Sequence, residues 1–352
     1  MTPGLLRGLV QVHRWLGIAL ALPLLVMVLS GALLLFKNTL WVPGEWRSSG
    51  LSVAQSDSAL ARFLGDDAAW LIVDMAAPGR AFHVVGYADE HARPLRVGAT
   101  ATETPPPRLA VAETLFALHT RLLAGESGKW LIRVLGPLAV VSLLVGFLVW
   151  WPRRRGWRGR DLQPASITRL VLLRLHLAWG AAALVVLLPL LLSGALLAHN
   201  PTIRAWLKPL GPVPAPLSED LAARYFTPGD PAAALAAARS LWPEGRLTQL
   251  SPRAPGSAEI TLKFQLPGER HPNGRSTITL DLDRGRVVGL RDARLGGLPA
   301  AYDDYLYGFH IAHLGGPLQA WLWLASALAL LLLIVSGTVA WLRKPRRGRV
   351  TP

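Results

Sequence analysis

Nine histidines and no cysteine set the chemistry open to this 352-residue chain. Without thiols, c-type haem attachment, thiolate iron–sulfur clusters, Cys-ligated zinc, disulfide frameworks and thiol nucleophiles are excluded. His83, His91 and His271 have polar sequence neighbours and read as ordinary surface or turn histidines. The other six gather at the ends of long apolar runs: His13 and His176 at one end, and His119, His199, His310 and His313 at the other. An ionisable side chain beside a bilayer is costly and is by default a functional candidate, although a lone imidazole at a span end also suits interfacial snorkelling. Here His13 and His176 occupy matching places in the sequence, as do His119 and His310. Neutral imidazole is a usual axial ligand of haem iron, and two imidazoles from facing helices clamp one macrocycle. The pattern therefore points to His-ligated haem b, one or two per chain. Purely structural histidines, another metal, or a proton relay stay open beside it.

Four apolar runs must position these residues: Leu16–Phe36, Val134–Trp151, Leu177–Ala198 and Pro317–Leu342. Each reaches the roughly 18–20 residues that a helix needs to cross a hydrocarbon core. Interior Pro23, Pro137 and Pro189 do not count against spans, because neighbouring groups in membrane helices re-satisfy the freed backbone. The formal net charge of +15 resolves along the chain. Fourteen basic residues and one acid lie in the segments before the first span, between the second and third, and after the fourth. The remainder is close to neutral. Short basic connections face the cytoplasm, so both termini are expected there, in a multi-pass protein of a bacterial inner membrane. The high charge is thus a topology signal, and nucleic acid is excluded as a partner in favour of the lipid bilayer.

The expected division is span one with its N-terminus at 1–37, a first outer segment at 38–129, span two at 130–152 and a basic loop at 153–174. Span three at 175–199, a second outer segment at 200–316, span four at 317–342 and a basic tail at 343–352 complete it. A shift of 163 residues aligns His13-Arg-Trp-Leu-Gly17 with His176-Leu-Ala-Trp-Gly180, and Ser30-Gly31 with Ser193-Gly194. A shift of 191 aligns His119 with His310, Gly146 with Gly337 and Trp150 with Trp341. Two parallel repeats about an axis along the membrane normal are expected. A helix unbroken from His119 to Trp151 would outrun the membrane core, so breaks are expected at Gly125–Gly128 and Gly315–Pro317. A short His-bearing interfacial helix then precedes each, with His313 on the same helical face as His310. The small residues Ser30/Gly31, Gly146, Ser193/Gly194 and Ser336/Gly337 suit close helix–helix approach.

The second outer segment predicts a helix at Pro231–Leu241, strands at Ala258–Leu266 and Ser276–Leu282, a turn at 283–285 and a strand at Arg286–Leu290. In the first, Trp70–Asp74 and Ala81–Tyr87 are weaker strand candidates, and Thr102–Arg108 reads as a Pro-rich linker. The fold class is a four-helix transmembrane bundle of two parallel repeats with small α+β extracytoplasmic domains. Tyr302-Asp-Asp-Tyr-Leu-Tyr307 would line a docking surface or an interfacial aromatic belt, and Trp41, Trp46, Trp150, Trp151 and Trp341 are belt candidates.

His13-Arg-Trp-Leu-Gly17 with Ser30-Gly31, Leu118-His-Thr-Arg-Leu122 before Gly125-x-x-Gly128, and Trp150-Trp-Pro-Arg-Arg154 together resemble the PepSY-associated transmembrane proteins. The stretch around Leu235–Leu290, with Thr279-Leu-Asp-Leu-Asp-Arg-Gly-Arg-Val287, resembles a PepSY domain. That resemblance, which spans nearly the whole chain, implies an iron-regulated inner-membrane protein similar to haem-bearing ferric-siderophore reductases. It implies haem b, outward electron transfer and reduction of a chelated Fe(III) at the periplasmic face. It supports His13, His176, His119 and His310 as ligands to haem iron, with His199 and His313 next. No side chain would make or break bonds: the haem carries the redox chemistry. No Gly-rich flavin or nicotinamide fingerprint follows a strand, so the electron donor is a membrane quinol or a separate reductase. Two other readings compete. One is a non-enzymatic PepSY module that binds or regulates an extracytoplasmic partner. The other is a small-substrate transporter, disfavoured because no span carries a charge at mid-depth.

Overall fold

The computed structural model describes residues 2–41, 71–75, 82–86, 93–97, 102–103, 107–152, 169–212, 225–251 and 258–343. The chain divides into two compact units. One comprises Met1–Phe36, Glu113–Asn200 and His310–Pro352; the other comprises Lys37–Ala112 and Pro201–Phe309.

Four helices are long and apolar enough to cross a membrane, and all belong to the first unit. Helix α1 runs Pro3–Leu34. It starts well before its apolar run because Thr2 caps it, the side-chain oxygen accepting from the Leu5 N–H at 3.4 Å, and Pro3 fills the first position, where no N–H is needed. His13, just before the apolar run, is therefore well inside the helix. After α2 (Pro107–Arg121) comes the second long helix, α3 (Gly125–Trp150), and then the third, α4 (Arg169–Ala198), followed by short α5 (Asn200–Leu207). Helix α6 (Pro231–Leu241) and α7 (Gly297–His310) precede the fourth long helix, α8 (Gly316–Leu342).

The long helices pack in a ring: α1 touches α3 and α8, and α4 touches the same two, which leaves α1 diagonal to α4. Small residues line the inside. Ala139 and Ser142 of α3, Ala183 and Ser193 of α4, and Ser326 and Ala327 of α8 are buried, whereas Leu22, Val185, Trp130 and Trp321 face outward. Polar and small inside with large apolar outside is the packing suited to lipid. Together with the apolar length of the spans, it makes this a multi-pass membrane protein. At each of two long-helix ends an arginine occupies a free carbonyl: Arg133 Nε donates to Ala198 O at 3.2 Å, and Arg169 Nε to Ala340 O at 3.0 Å.

The second unit holds two antiparallel meanders. The first is β1 (Leu71–Met75), β2 (Phe82–Gly86), β3 (Arg93–Val97) and β4 (Thr102–Glu103). The expected linker at Thr102–Arg108 thus contains a strand and the start of α2. The second is β5 (Arg246–Ser251), β6 (Glu259–Gln265), β7 (Ser276–Asp281) and β8 (Arg286–Arg291). The sequence prediction matches β6, β7 and β8 and misses β5. Alternation buries one face of β6 and β7, where Ile260, Leu262, Phe264, Ile278 and Leu280 pack with Ala234, Leu235 and Ala238 of α6. Asp230 caps α6 by accepting from the N–H groups of Ala232 and Ala233.

Candidate functional site

Each of the four paired histidines reaches onto a different helix and rests against a glycine there. His119 of α2 lies on Gly31 of α1, and His13 of α1 lies on Gly146 of α3. His310, the last residue of α7, lies on Gly194 of α4, and His176 of α4 lies on Gly337 of α8. A Cβ added at Gly31 or Gly146 would stand 2.8 Å from the ring Cε1, and one at Gly194 or Gly337 would stand 3.0 Å from it. In all four cases Cε1 is the nearest ring atom, then Nδ1, then Nε2. The small residues read from the sequence as helix–helix contacts are therefore seats for imidazoles. Helix backbones do approach closely elsewhere: a Cβ on Gly136 of α3 would meet Ala195 of α4 at 3.2 Å.

The seats also fix the ring nitrogens. At two seats the carbonyl four residues before the glycine accepts from the imidazole: Ser142 for His13 and Met27 for His119. His13 Nδ1 stands 2.9 Å from Ser142 O, and His119 Nδ1 stands 3.0 Å from Met27 O. Ser142 Oγ reaches His13 Nδ1 at 3.5 Å, and serine hydroxyls come closer at the other three seats, with Nδ1–Oγ distances of 3.3 Å for Ser30 to His119, 3.1 Å for Ser336 to His176 and 3.0 Å for Ser193 to His310. Those hydroxyls spend their own protons on helix carbonyls: Ser30 on Val26, Ser193 on Leu190 and Ser336 on Leu333. Carbonyl and serine oxygens thus both accept, so Nδ1 must donate. Each neutral ring is left with an Nε2 lone pair, and Nε2 has no hydrogen-bond partner among the described residues.

These rings meet in twos. The centroids of His13 and His176 are 5.9 Å apart with an interplanar angle of 58°, and those of His119 and His310 are 6.3 Å apart at 30°. The first pair comes from the diagonal helices α1 and α4.

Tight turns deliver His119 and His310. After Arg121 the chain reverses through Leu122 and Leu123, both left-handed at φ 50° and 58°, and Gly125 at φ 55° begins α3. Gly128 makes the turn possible, because a Cβ there would collide with the Arg121 carbonyl. The break is thus three residues earlier than the expected Gly125–Gly128. After His310, Ala312 is left-handed at φ 61° and Gly316 at φ 57° opens α8.

The remaining candidates are placed differently. His199 follows α4, and its Nε2 donates to Arg133 O at 2.9 Å. That carbonyl lacks a helix partner because Pro137, four residues on, has no N–H. His313 is exposed and lies beyond the end of α7, so it does not share a helical face with His310 as expected. His271 lies in a turn as expected but is buried, not at the surface: its ring stacks on Tyr307 at 5.0 Å and its Nδ1 accepts from the Asn273 N–H. In the Tyr302–Tyr307 stretch, Asp303 is buried against Arg204 at 2.6 Å and Asp304 accepts from the N–H groups of Arg270 and His271. Asp303 thus ties α7 to α5 and Asp304 ties it to the β6–β7 turn, while Tyr305 is exposed. His91 and Trp46 lie outside the described residues, and His83 is described in backbone only.

A model of the PepSY-associated TM region matches residues 10–344. The chain belongs to that family. No curated protein matches it. In this PepSY-associated chain, the geometry permits a direct test of fit to haem. Two imidazoles on one metal, each at a nitrogen–metal distance of about 2 Å, stand roughly 6 Å apart between ring centres. Both observed pairs have that spacing. Each ring also gives its one N–H to an acceptor, as metal-bound histidines do. Among the described residues no three His, Cys, Asp or Glu side chains converge as a metal-binding group. The donor set at each place is two neighbouring imidazoles, which in number suits an axial pair and not a tetrahedral cage.

Proposed function

We propose that this chain is a haem b-bearing reductase of a bacterial inner membrane that delivers electrons to a periplasmic ferric chelate of the siderophore type. The observation that carries the reading is the two couples of neighbouring imidazoles, with centroids 5.9 and 6.3 Å apart and each ring's Nδ1 committed as a donor. His13 with His176, and His119 with His310, would hold one haem each. On this reading the bundle is two parallel repeats, the β5–β8 unit is a PepSY domain, and the basic connections and termini are cytoplasmic.

When bound, haem supplies one-electron exchange between its ferric and ferrous states. The chain's own residues do the rest. The seats hold each imidazole by its Nδ1–H, and the four apolar helices around the pairs would keep water scarce there. Net reaction is one electron per iron, Fe(III) to Fe(II), drawn from a quinol or a separate reductase. The softer Fe(II) is held less firmly by hard oxygen ligands and is released for uptake.

A dithionite-reduced minus air-oxidised spectrum of the purified protein, with pyridine haemochrome quantitation, tests this. The expected result is a low-spin b-type signal that ferric chelate reoxidises. His13→Ala or His176→Ala should remove one part of the signal and His119→Ala or His310→Ala the other. A colourless protein after expression with ample haem overturns the reading and leaves the non-enzymatic PepSY module.

A further inference from the structure

The four seats are alike in shape but not in chemistry. Gly31, Gly194 and Gly337 are each preceded by a serine whose hydroxyl accepts from the ring at 3.3, 3.0 and 3.1 Å. Gly146 is preceded by Val145, and its nearest hydroxyl, Ser142 Oγ, stands 3.5 Å from His13 Nδ1, while the Ser142 carbonyl takes the proton at 2.9 Å. His119 and His310 thus both rest on serine seats, whereas only one ring of the His13–His176 pair does.

We propose that Ser30, Ser193 and Ser336, with the four seat glycines, are positioning residues that set where each imidazole sits and how strongly its Nε2 binds iron. This rests on the haem reading above. The glycines act by size: a methyl group at 2.8–3.0 Å from Cε1 is closer than such contacts ordinarily come, so the ring must shift from the position in which its Nδ1–H is held. The serines act by polarity. An acceptor on Nδ1–H raises imidazole basicity and favours ferric iron, so removing one shifts the midpoint potential upward. The proposal makes three serines matter and the fourth, Ser142, not matter through its hydroxyl.

The test uses the full chain purified with haem. Gly194→Ala should lose the haem signal of the His119–His310 pair and keep the other. Gly17→Ala, at a site with nothing within 4 Å of an added Cβ, should keep both. Ser193→Ala should retain both haems with one midpoint potential raised, Ser193→Thr should restore it, and Ser142→Ala should leave both potentials in place. If Gly194→Ala fails to fold, Ser193→Ala decides alone, since it removes a single oxygen. Unchanged spectra and potentials in Gly194→Ala or Ser193→Ala overturn the proposal while leaving the haem reading intact. Wild-type protein without haem sinks the haem reading and the proposal with it.

Discussion

At the scale of single residues, the instructive contrast is between two protonation patterns of the same side chain. The four paired histidines give up Nδ1–H and keep Nε2 bare. His199 does the reverse, with Nε2–H committed to a carbonyl that Pro137 has orphaned. Its role follows from the proline. His199→Ala should cost about 1 kcal/mol, the usual net worth of one hydrogen bond, and should leave any haem signal unchanged. In a Pro137→Ala background the helix regains its own N–H donor, and the same substitution should then cost nearly nothing. Thermal unfolding of the two single variants and the double variant in detergent measures this coupling. An equal cost in both backgrounds would show that His199 acts through something other than that carbonyl.

At the scale of elements, the turn joining α2 to α3 decides whether His119 arrives at its seat. Two leucines there hold left-handed backbone, which costs an L-residue roughly 1–2 kcal/mol each. Leu123 is exposed, so Leu123→Gly relieves that strain with little packing lost and should raise the melting temperature by a few degrees. Gly128→Ala should do the opposite and release His119, read as loss of one haem signal. Of these elements, the spans were legible because lipid demands long apolar runs. β6 and β7 were legible because one buried face forces strict alternation. β5 was not, since its register shift between Leu247 and Gln249 breaks the alternation that a reader would follow. The histidine pairs were visible as matched positions 163 and 191 residues apart. Their seats were visible only as small residues, because a glycine in sequence does not say whether the space it leaves will hold a helix or a ring.

At the scale of the whole molecule, the native chain lacks cysteine and is therefore a clean background for topology mapping. Thiols introduced as Ser240→Cys and Thr351→Cys should respond oppositely to a membrane-impermeant reagent applied to spheroplasts. Ser240→Cys should label from outside, and Thr351→Cys only after lysis. The reverse pattern would invert the proposed orientation. The ring order of the helices has one more consequence, which concerns time rather than space. The couple formed by His119 and His310 draws on α1, α2, α4 and α7, all of which have been synthesised once residue 310 is added. The couple formed by His13 and His176 also needs Gly337, near the end of α8. The two couples are therefore completed in sequence during synthesis: the first histidine made has its seat and its companion ring by residue 176, yet that couple waits longest, because the companion's own seat is the last to be made.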